Sequence, residues 1–587
     1  MRYYQKLAAE MVQGDSQRDR MLAAMDNMWR GEWRLPPEMA DLRWVHKVVS
    51  TDPHDSLRAG TRVLSSVEPR ISVQMLGERL EGQGSGDDLE RALAWLFRCA
   101  SRRRRASVLR DVVLSALLYD EVVAQVVYLP HQIAALRAFD SDTRRLEAAR
   151  RYGPFAVLVR NPQQVHVRYS DWMPEAVLMK RVMSAGEALD FWGKKAGRLR
   201  RALDEKRAAE MRYLTLYDYM DLEVRVVWAV LQEEGGMISP PIADEGADHG
   251  AIELLREEHR LGFLPWVAKV GGTTLVDDPA HQRIPLLYAV YQTDQWSTQN
   301  MIETLMASEA IAYAAAPRLK VQGPSDAVQV DYGEPGRTAY VPPGHDLNPL
   351  DPPKLDQALA AMADRVGERI GKSTVPRVLQ SGDFPGGIAY STLNLATQSG
   401  IKSLTPYKEL AEQALADILV QMLYWIDHNG EAVDSLGRGR DVRGRRFTID
   451  PARLDVNDIF IEVELTADVP SDRMARINAG ALAVRELGYS RARALEQVGE
   501  SDPLVIMEEA RQEELAQLEL EIEKQRRLRE AGMPQGGVED SEKQFSTDGL
   551  SRGKGQGFNP AMGGTPPVNA APGLGQKAGK EDRATEV

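Results

Sequence analysis

Cysteine is almost absent from this chain of 587 residues, which contains Cys99 alone. One cysteine excludes an internal disulfide framework and is typical of a protein that folds in a reducing compartment. The sequence also lacks any apolar run near the roughly 18 residues that a membrane-spanning helix needs. Its first twenty residues contain no apolar h-region, so we expect no signal peptide.

An excess of positive charge is missing as well, because 86 acidic and 73 basic residues give a formal net charge of −13. Proteins that bind DNA tightly without sequence preference usually carry a basic patch. The balance excludes a protein that grips DNA over its whole surface. It agrees with an acidic wall that lets DNA pass without sticking, and equally with ordinary solubility.

Catalytic and metal-binding motifs are absent too. The nine histidines are scattered without an HxxxH or HExxH spacing, and neither G-x-S-x-G nor G-x-G-x-x-G between a strand and a helix occurs. Cys99 precedes four arginines at 102–105, which would lower its pKa, but a buried apolar side chain explains it as well. The arginines themselves indicate either a solvated face or a site for an acidic partner or a phosphate backbone. We therefore predict no enzyme, no cofactor and no metal.

One stretch, GERIGKST at 367–374, is close to a nucleotide-binding P-loop. Such a loop needs four residues between its glycines, whereas three separate Gly367 from Gly371. The preceding apolar residues, spaced three and four apart through Val366 and Ile370, predict a helix rather than a buried strand. Pro376 prevents a helix from starting where the phosphate-binding helix should. We predict a helix end, with Gly371 as its C-cap and a Glu368–Lys372 pair.

Patterns along the chain predict a mixed architecture. One helix is expected over the first 34 residues, another over 87–119, and strands at 121–130 and 213–231. No helix breaker occurs from Pro285 to Pro317, and the polar centre of that predicted helix calls for contacts with other copies or regions. A hairpin is predicted at 328–341, and Gly400 and Pro406 predict a kink in a helix over 389–428.

The order of these features resembles the portal, or head–tail connector, proteins of tailed bacteriophages. RLGFLPWVAKVGG and RIPLLYAVYQTDQWSTQNMIETL are similar to the entry from wing to stem, and the hairpin at 328–341 lies where the family has its clip. LQSGDFPGG falls at the family's tunnel loop, and LLYDEVVAQVVYLP is also typical. The likeness covers most of residues 35–530 and rests on the order of weak elements, since portals have no short diagnostic motif.

The resemblance implies an α+β, mainly α, fold: a portal-type ring subunit with an α/β wing, a long-helix stem, a small β clip and a helical crown. The implied boundaries are an N-terminal helix at 1–34, wing at 35–284, stem helix at 285–316, clip at 317–352, second stem helix at 353–374, tunnel loop at 375–388, kinked wing helix at 389–428, wing strands at 429–470, helical crown at 471–530 and disordered tail at 531–587.

The family's function is then expected of this chain. Such rings, usually dodecameric, occupy one capsid vertex in the virion and are assembled in the host cytoplasm. Double-stranded DNA is packaged and ejected through them; they bind the terminase large subunit, the major capsid and scaffolding proteins, and the neck or tail adaptor, without a membrane. The resemblance places DNA-channel residues at Lys372, Arg377, Gln380, Ser381, Asp383 and Phe384, and clip residues at Tyr332, Arg337 and Tyr340.

Two other functions stay open. The helices at 471–530 would also suit a helical scaffold or adaptor of another viral assembly. A nucleotide-dependent DNA translocase would use GKST, which the glycine spacing disfavours.

Overall fold

The computed structural model describes a defined set of residues. These are 1–42, 44–75, 86–103, 107–129, 153–170, 173–192, 197, 199–201, 213–231, 251–272, 283–315, 319–322, 346–349, 357–375, 400–436, 446–453, 455–466, 477, 480–486, 488, 490–498 and 503–530. Helices and antiparallel strands are mixed, with helix predominating, as an α+β fold requires. The chain divides into two compact units, Met1–Met507 and Glu508–Val587.

Helices of the first unit occur throughout its length. They are α1 (Arg2–Gly14), α2 (Ser16–Arg30), α3 (Pro37–Ala40), α4 (Asp52–Leu64), α5 (Gly86–Arg103), α6 (Val108–Tyr119), α7 (Ala185–Trp192), α8 (Tyr288–Gln292), α9 (Gln295–Ala315), α10 (Gln357–Ser373), α11 (Thr405–Asn429) and α12 (Arg491–Val498). A further helix, α13 (Pro503–Glu530), begins in the first unit and continues into the second.

The strands form small antiparallel sheets. They are β1 (Arg70–Met75), β2 (Glu121–Tyr128), β3 (Phe155–Arg160), β4 (Val165–Ser170), β5 (Met173–Ser184), β6 (Tyr213–Asp221), β7 (Val224–Leu231), β8 (Ile252–Glu258), β9 (Trp266–Val270), β10 (Leu319–Gln322), β11 (Asp346–Pro349), β12 (Val433–Leu436), β13 (Arg446–Ile449) and β14 (Ile459–Glu464). Their order is β3-β2-β9, β4-β5-β6-β7-β8, β1-β14, β10-β11 and β12-β13.

The largest sheet is covered on both faces. On one face, Leu7 and Ala8 of α1 cluster with Tyr217 and Trp228, whose rings stack at 5.3 Å. On the other, Ala188 of α7 clusters with further strand residues. Two covered faces explain why β6 is buried at seven consecutive positions, 214–220, instead of alternating. The strands predicted at 121–130 and 213–231 are thereby confirmed as β2 and the β6–β7 hairpin.

The main core surrounds α11. This helix packs against α6, the β2–β9 edge and β14, and it buries ten residues from Tyr407 to Ile426. Residues 400–403 are helical but end at Leu404, after which α11 starts with Pro406 in its first turn. The kink that was predicted near Gly400 and Pro406 is therefore, in the described residues, a break between two helices at Leu404. Residues 389–399 lie outside the described residues.

Three predicted helices are shorter in the structure than in the expectation. The first 34 residues form two helices, since Asp15 leaves helical geometry (φ −89°, ψ 5°) and its carboxylate binds Arg18 and His166. Residues 87–119 form α5 and α6, because the backbone of Ser107, directly before α6, is extended. The helix expected from 285 to 316 is interrupted before Gln295, where Asp294 is left-handed (φ +50°), a conformation that aspartate tolerates.

The C-terminal helices agree in part with the expectation. Ser490 and the Asp502-Pro503 pair predict helix starts, and α12 begins directly after Ser490 while α13 begins at Pro503. In the second unit the described side chains of α13 are exposed, including Leu515, Leu518 and Ile522. No helix among the described residues is long and apolar enough to cross a membrane.

Candidate functional site: the α9–α10 helix pair

Helix α9 carries a buried row of polar side chains, Asn300, Thr304 and Ser308, at i, i+4 and i+8. Each binds the backbone of an extended segment at 46–50, which we call the strap. The bonds are Ser50 N–H to Asn300 Oδ1 at 2.7 Å, Val48 N–H to Thr304 Oγ1 at 3.0 Å, and His46 N–H to Ser308 Oγ at 2.7 Å. Thr304 also donates to the Val48 carbonyl at 3.2 Å.

The match has a geometric origin. Four residues of helix advance about 6 Å, and two residues of extended chain advance about 6.6 Å. Every second strap residue therefore meets the next polar side chain of α9, and the helix replaces the strand that would otherwise pair with this backbone. Trp296 extends the row by donating from Nε1 to the Ser50 carbonyl at 3.1 Å.

This row bears on one sequence interpretation. The polar centre of the helix was predicted to contact other copies or other regions. The buried polar residues of α9 contact another region of the same chain, about 250 residues earlier. Polarity of α9 is therefore no argument for oligomerisation by itself.

Helix α10 returns beside α9. Near the start of α9, Gln299 donates to Asp52 at 2.9 Å, and just beyond the end of α10, Thr374 lies 3.1 Å from Ser56. Both partners are on α4, one turn apart, so α9 and α10 run antiparallel and are anchored at the same end. At the other end the chain passes through β10 and β11, which pair antiparallel.

The GKST segment is the end of α10. Lys372 is 79% exposed, with Nζ 3.6 Å from Glu368, as predicted. Ser373 donates to the Arg369 carbonyl and Thr374 to the Ile370 carbonyl at 2.9 and 2.7 Å, so both hydroxyls are bound by their own helix. Gly371 lies inside the helix, so its expected C-cap role is wrong. The residues directly before this segment belong to α10, which occupies the place where a P-loop has a strand.

A buried cluster of charged side chains lies where the chain enters α8. Glu121, 1% exposed, accepts from Arg283 Nε at 2.7 Å, and the other carboxylate oxygen is 3.9 Å from Arg18. Beside it Asp120, left-handed at φ +52°, accepts the Ile284 N–H at 2.9 Å. A Cβ at Gly271 would overlap the Asp120 carboxylate, which is why only glycine fits there.

The same cluster joins α2 to the large sheet. Arg18 donates to Asp15 at 2.9 Å and to the Val165 carbonyl at 2.8 Å, while Asp15 binds His166 Nδ1 at 2.8 Å. Burial raises the pKa of Asp15, but the His166 hydrogen bond and the Arg18 charge outweigh it and hold that pKa below its usual range. This cluster was not predicted from the sequence, where its one signal is the pair Asp120-Glu121 inside a long apolar run.

Most predicted site residues fall outside the described part of the chain. Of the DNA-channel set only Lys372 is described; Arg377, Gln380, Ser381, Asp383 and Phe384 lie outside it, as do the clip residues Tyr332, Arg337 and Tyr340. Cys99 is buried, 5% exposed, which favours the apolar interpretation. Within the described ranges, no three His, Cys, Asp or Glu side chains are grouped as a metal site.

Comparisons with known proteins give distant structural similarity. No family model matches the sequence, and no curated protein matches it. Among solved structures, chains of gene transfer agent (GTA) particles match over 79% of this chain and 94% of their own, at 12% identity. They come from the neck of an empty particle with C6 symmetry, the neck of a native particle with C12 symmetry, and a native virion, with TM-scores of 0.38, 0.34 and 0.35. At this identity and these TM-scores, the matches establish neither family nor function.

Proposed function

We propose that this chain is a portal-type subunit that forms a ring at a capsid vertex and conducts double-stranded DNA during packaging and ejection. The terminase large subunit would bind the ring during packaging, and a neck or tail adaptor afterwards. The subunit would have no catalytic role of its own, since the motor supplies the chemical energy. The proposed location is the virion.

The observation that supports this function most is the arrangement of α9 and α10. A polar helix leaves a mixed α/β body, a small β element follows, and an antiparallel helix returns to the same anchor on α4. That order is the stem, clip and stem of the portal resemblance. The two helices contribute few residues to the main core.

The predicted DNA contacts belong to this proposal. The segment after α10, with Arg377, Gln380, Ser381, Asp383 and Phe384, would line the channel. With one basic residue and one acid among these five, we expect loose contacts to the phosphate backbone rather than tight binding.

A scaffold or adaptor function is the second candidate, because α13 leaves Leu515, Leu518 and Ile522 exposed on one helix. Electron microscopy of the purified full-length protein separates the two. A portal subunit should give closed rings with a central hole, since cyclic symmetry closes a heterologous interface. A protein that stays monomeric at micromolar concentration in both low and high salt would contradict the ring.

A further inference from the structure

One exposed face of α10 carries positive charge. Arg365, Arg369 and Lys372 are all exposed and recur at spacings of four and then three residues. At about 100° per helical residue, the three side chains lie within an arc of about 60°. Ile370 and Thr374, which are buried, lie about 130° or more from the middle of that arc. We call these three cations the basic stripe.

The acidic residues of α10 lie to one side of the basic stripe. Glu368 points about 70° and Asp364 about 110° from the middle of the arc. Glu368 is 3.6 Å from Lys372, but in the described part of the chain neither Arg365 nor Arg369 forms an ion pair with a carboxylate. These two arginines are therefore like charges one turn apart, an arrangement that slightly destabilises a helix.

The position of the stripe in the helix explains only part of it. Lys372 is in the last turn, where a cation interacts favourably with the C-terminal carbonyl groups. Arg365 lies about two turns before the end of α10, beyond the reach of that effect. The two arginines are thus not accounted for by contacts or electrostatics within α10, and a ligand of opposite charge would compensate them.

The composition of this face favours a polyanion over a protein surface. A protein interface has an apolar centre with charged residues at its rim, whereas Met362 is the one large apolar side chain that α10 exposes in the described residues. Double-stranded DNA carries one negative charge per about 1.7 Å of its axis, and the stripe is about 10.5 Å long. Guanidinium groups also match phosphate geometry with two hydrogen bonds.

We propose that the basic stripe of α10 faces the path of the DNA and contacts the phosphate backbone of the duplex. The inference rests on the proposed function and extends the expected channel residues, which include Lys372 but neither Arg365 nor Arg369. Phosphate contacts carry no sequence information, so DNA of any sequence can move past them. Because the net charge of the chain is −13, the contact is weak and sensitive to salt. The attraction sums over many phosphates, so a free nucleotide does not substitute for the duplex.

Salt-dependent DNA binding tests this contact. Binding of a labelled duplex of mixed sequence to the full-length protein is followed by fluorescence anisotropy between about 50 and about 200 mM salt. The double variant Arg365→Ala/Arg369→Ala should raise the dissociation constant at least about tenfold at the lower salt concentration. The slope of log K against log salt should fall by about 2, since each neutralised phosphate contributes about 0.9.

Two further variants separate charge at this face from charge in general. Arg365→Lys/Arg369→Lys keeps both charges and should bind within about threefold of the wild type. Arg58→Ala/Arg62→Ala removes two exposed arginines, also four residues apart, from α4 and should leave binding unchanged. An equal loss of binding in the α4 variant would overturn the basic stripe. Displacement of the duplex by polyglutamate as effectively as by unlabelled DNA would overturn it too, in favour of an acidic protein partner.

Electron microscopy of the same samples separates this inference from the proposed function. Rings in the wild type, with DNA binding unaffected in Arg365→Ala/Arg369→Ala, would overturn the stripe and leave the ring intact. Arginine-dependent binding by a protein that forms no rings would support the stripe and overturn the ring. Neither rings nor DNA binding in the wild type would overturn both. Circular dichroism of each variant checks that the fold is preserved.

Discussion

Asn300 accepts the backbone N–H of Ser50 at 2.7 Å, although 250 residues separate the two in sequence. With Thr304 and Ser308 it makes one side of α9 the hydrogen-bonding partner of the strap at 46–50. Among the described residues, the backbone of the strap is bound by side chains of α9 and does not pair with a strand. Its stability therefore depends on a few individual bonds, each of which can be tested.

Thr304→Val is the sharpest such test. Valine keeps the shape of threonine but removes both bonds to Val48, leaving a partly buried N–H and a partly buried carbonyl without these partners. We expect local opening of the strap to become easier by about 1–3 kcal/mol. Hydrogen exchange of the peptide containing 46–50 should then be at least about fivefold faster.

Thr298→Val serves as the control. Thr298 lies on the same helix, is only partly buried, and its hydroxyl makes no bond to the strap. We expect its effect to stay within about 0.5 kcal/mol. Equal exchange rates in the two variants would show that the polar row does not hold the strap.

A second prediction concerns Glu121, which is almost fully buried against Arg283. Glu121→Gln removes the charge and leaves the guanidinium of Arg283 in a buried site without its anionic partner. Breaking a buried ion pair on one side typically costs about 3–5 kcal/mol. We expect a clear fall in the unfolding temperature, measured by scanning calorimetry.

An exposed ion pair gives the comparison. Arg168 and Glu175 lie 2.9 Å apart, but each side chain is 42% exposed. Glu175→Gln should therefore cost about 1 kcal/mol or less. If Glu121→Gln were as mild as Glu175→Gln, the buried cluster would not be what joins α2, β2 and the entry to α8.

These contacts also show how far the sequence could predict the fold. Periodicity identified β2, the strand structure at 213–231 that forms β6 and β7, and the helical end at GKST, because those patterns are local. It did not predict the breaks at Asp15 and Asp294, since both depend on one residue's conformation in a tertiary setting. Nor could it pair Asn300 with Ser50, because hydrogen bonds between distant segments leave no periodic signal.

The candidate site was predictable to a similar extent. The order helix, β element and helix was visible in the sequence, and the antiparallel return of α10 agrees with it. The contacts that anchor both helices to α4 could not be predicted. In the sequence, Asp52 and Ser56 are ordinary polar residues of a helix, and only the fold places Gln299 and Thr374 beside them. Only the fold brings these four residues together.

The third prediction is a pH dependence. The pKa of Asp15 is lowered in the folded protein, so its ionised form stabilises the fold. This stabilisation is complete above the ordinary carboxyl pKa of about 4 and is lost as the pH falls through the lowered value. Asp15→Asn should be less stable at pH 7 and lose stability less steeply below pH about 4.

Asp19 gives the opposite sign. Burial raises its pKa more than the Arg18 charge lowers it, so its contribution to stability decreases as the pH rises through the raised value. Asp19→Asn should therefore make the loss of stability in acid steeper. Thermal unfolding of both variants between pH 3 and 7 measures these slopes, and slopes that change in the same direction would contradict the assignment.

The last prediction concerns the GKST segment and separates a conduit from a translocase. A phosphate-binding loop requires free backbone N–H groups at the start of a helix, whereas these residues end α10. Lys372 faces Glu368, and the Ser373 and Thr374 hydroxyls bind carbonyls one turn back. We therefore expect no ATP binding by calorimetry, with or without Mg²⁺, and no change in Lys372→Ala. Arg369→Ala, one turn earlier, is the matched control for loss of a nearby charge. ATP binding that disappears in Lys372→Ala but persists in Arg369→Ala would establish a nucleotide site at this helix end, and the passive conduit would then have to be abandoned.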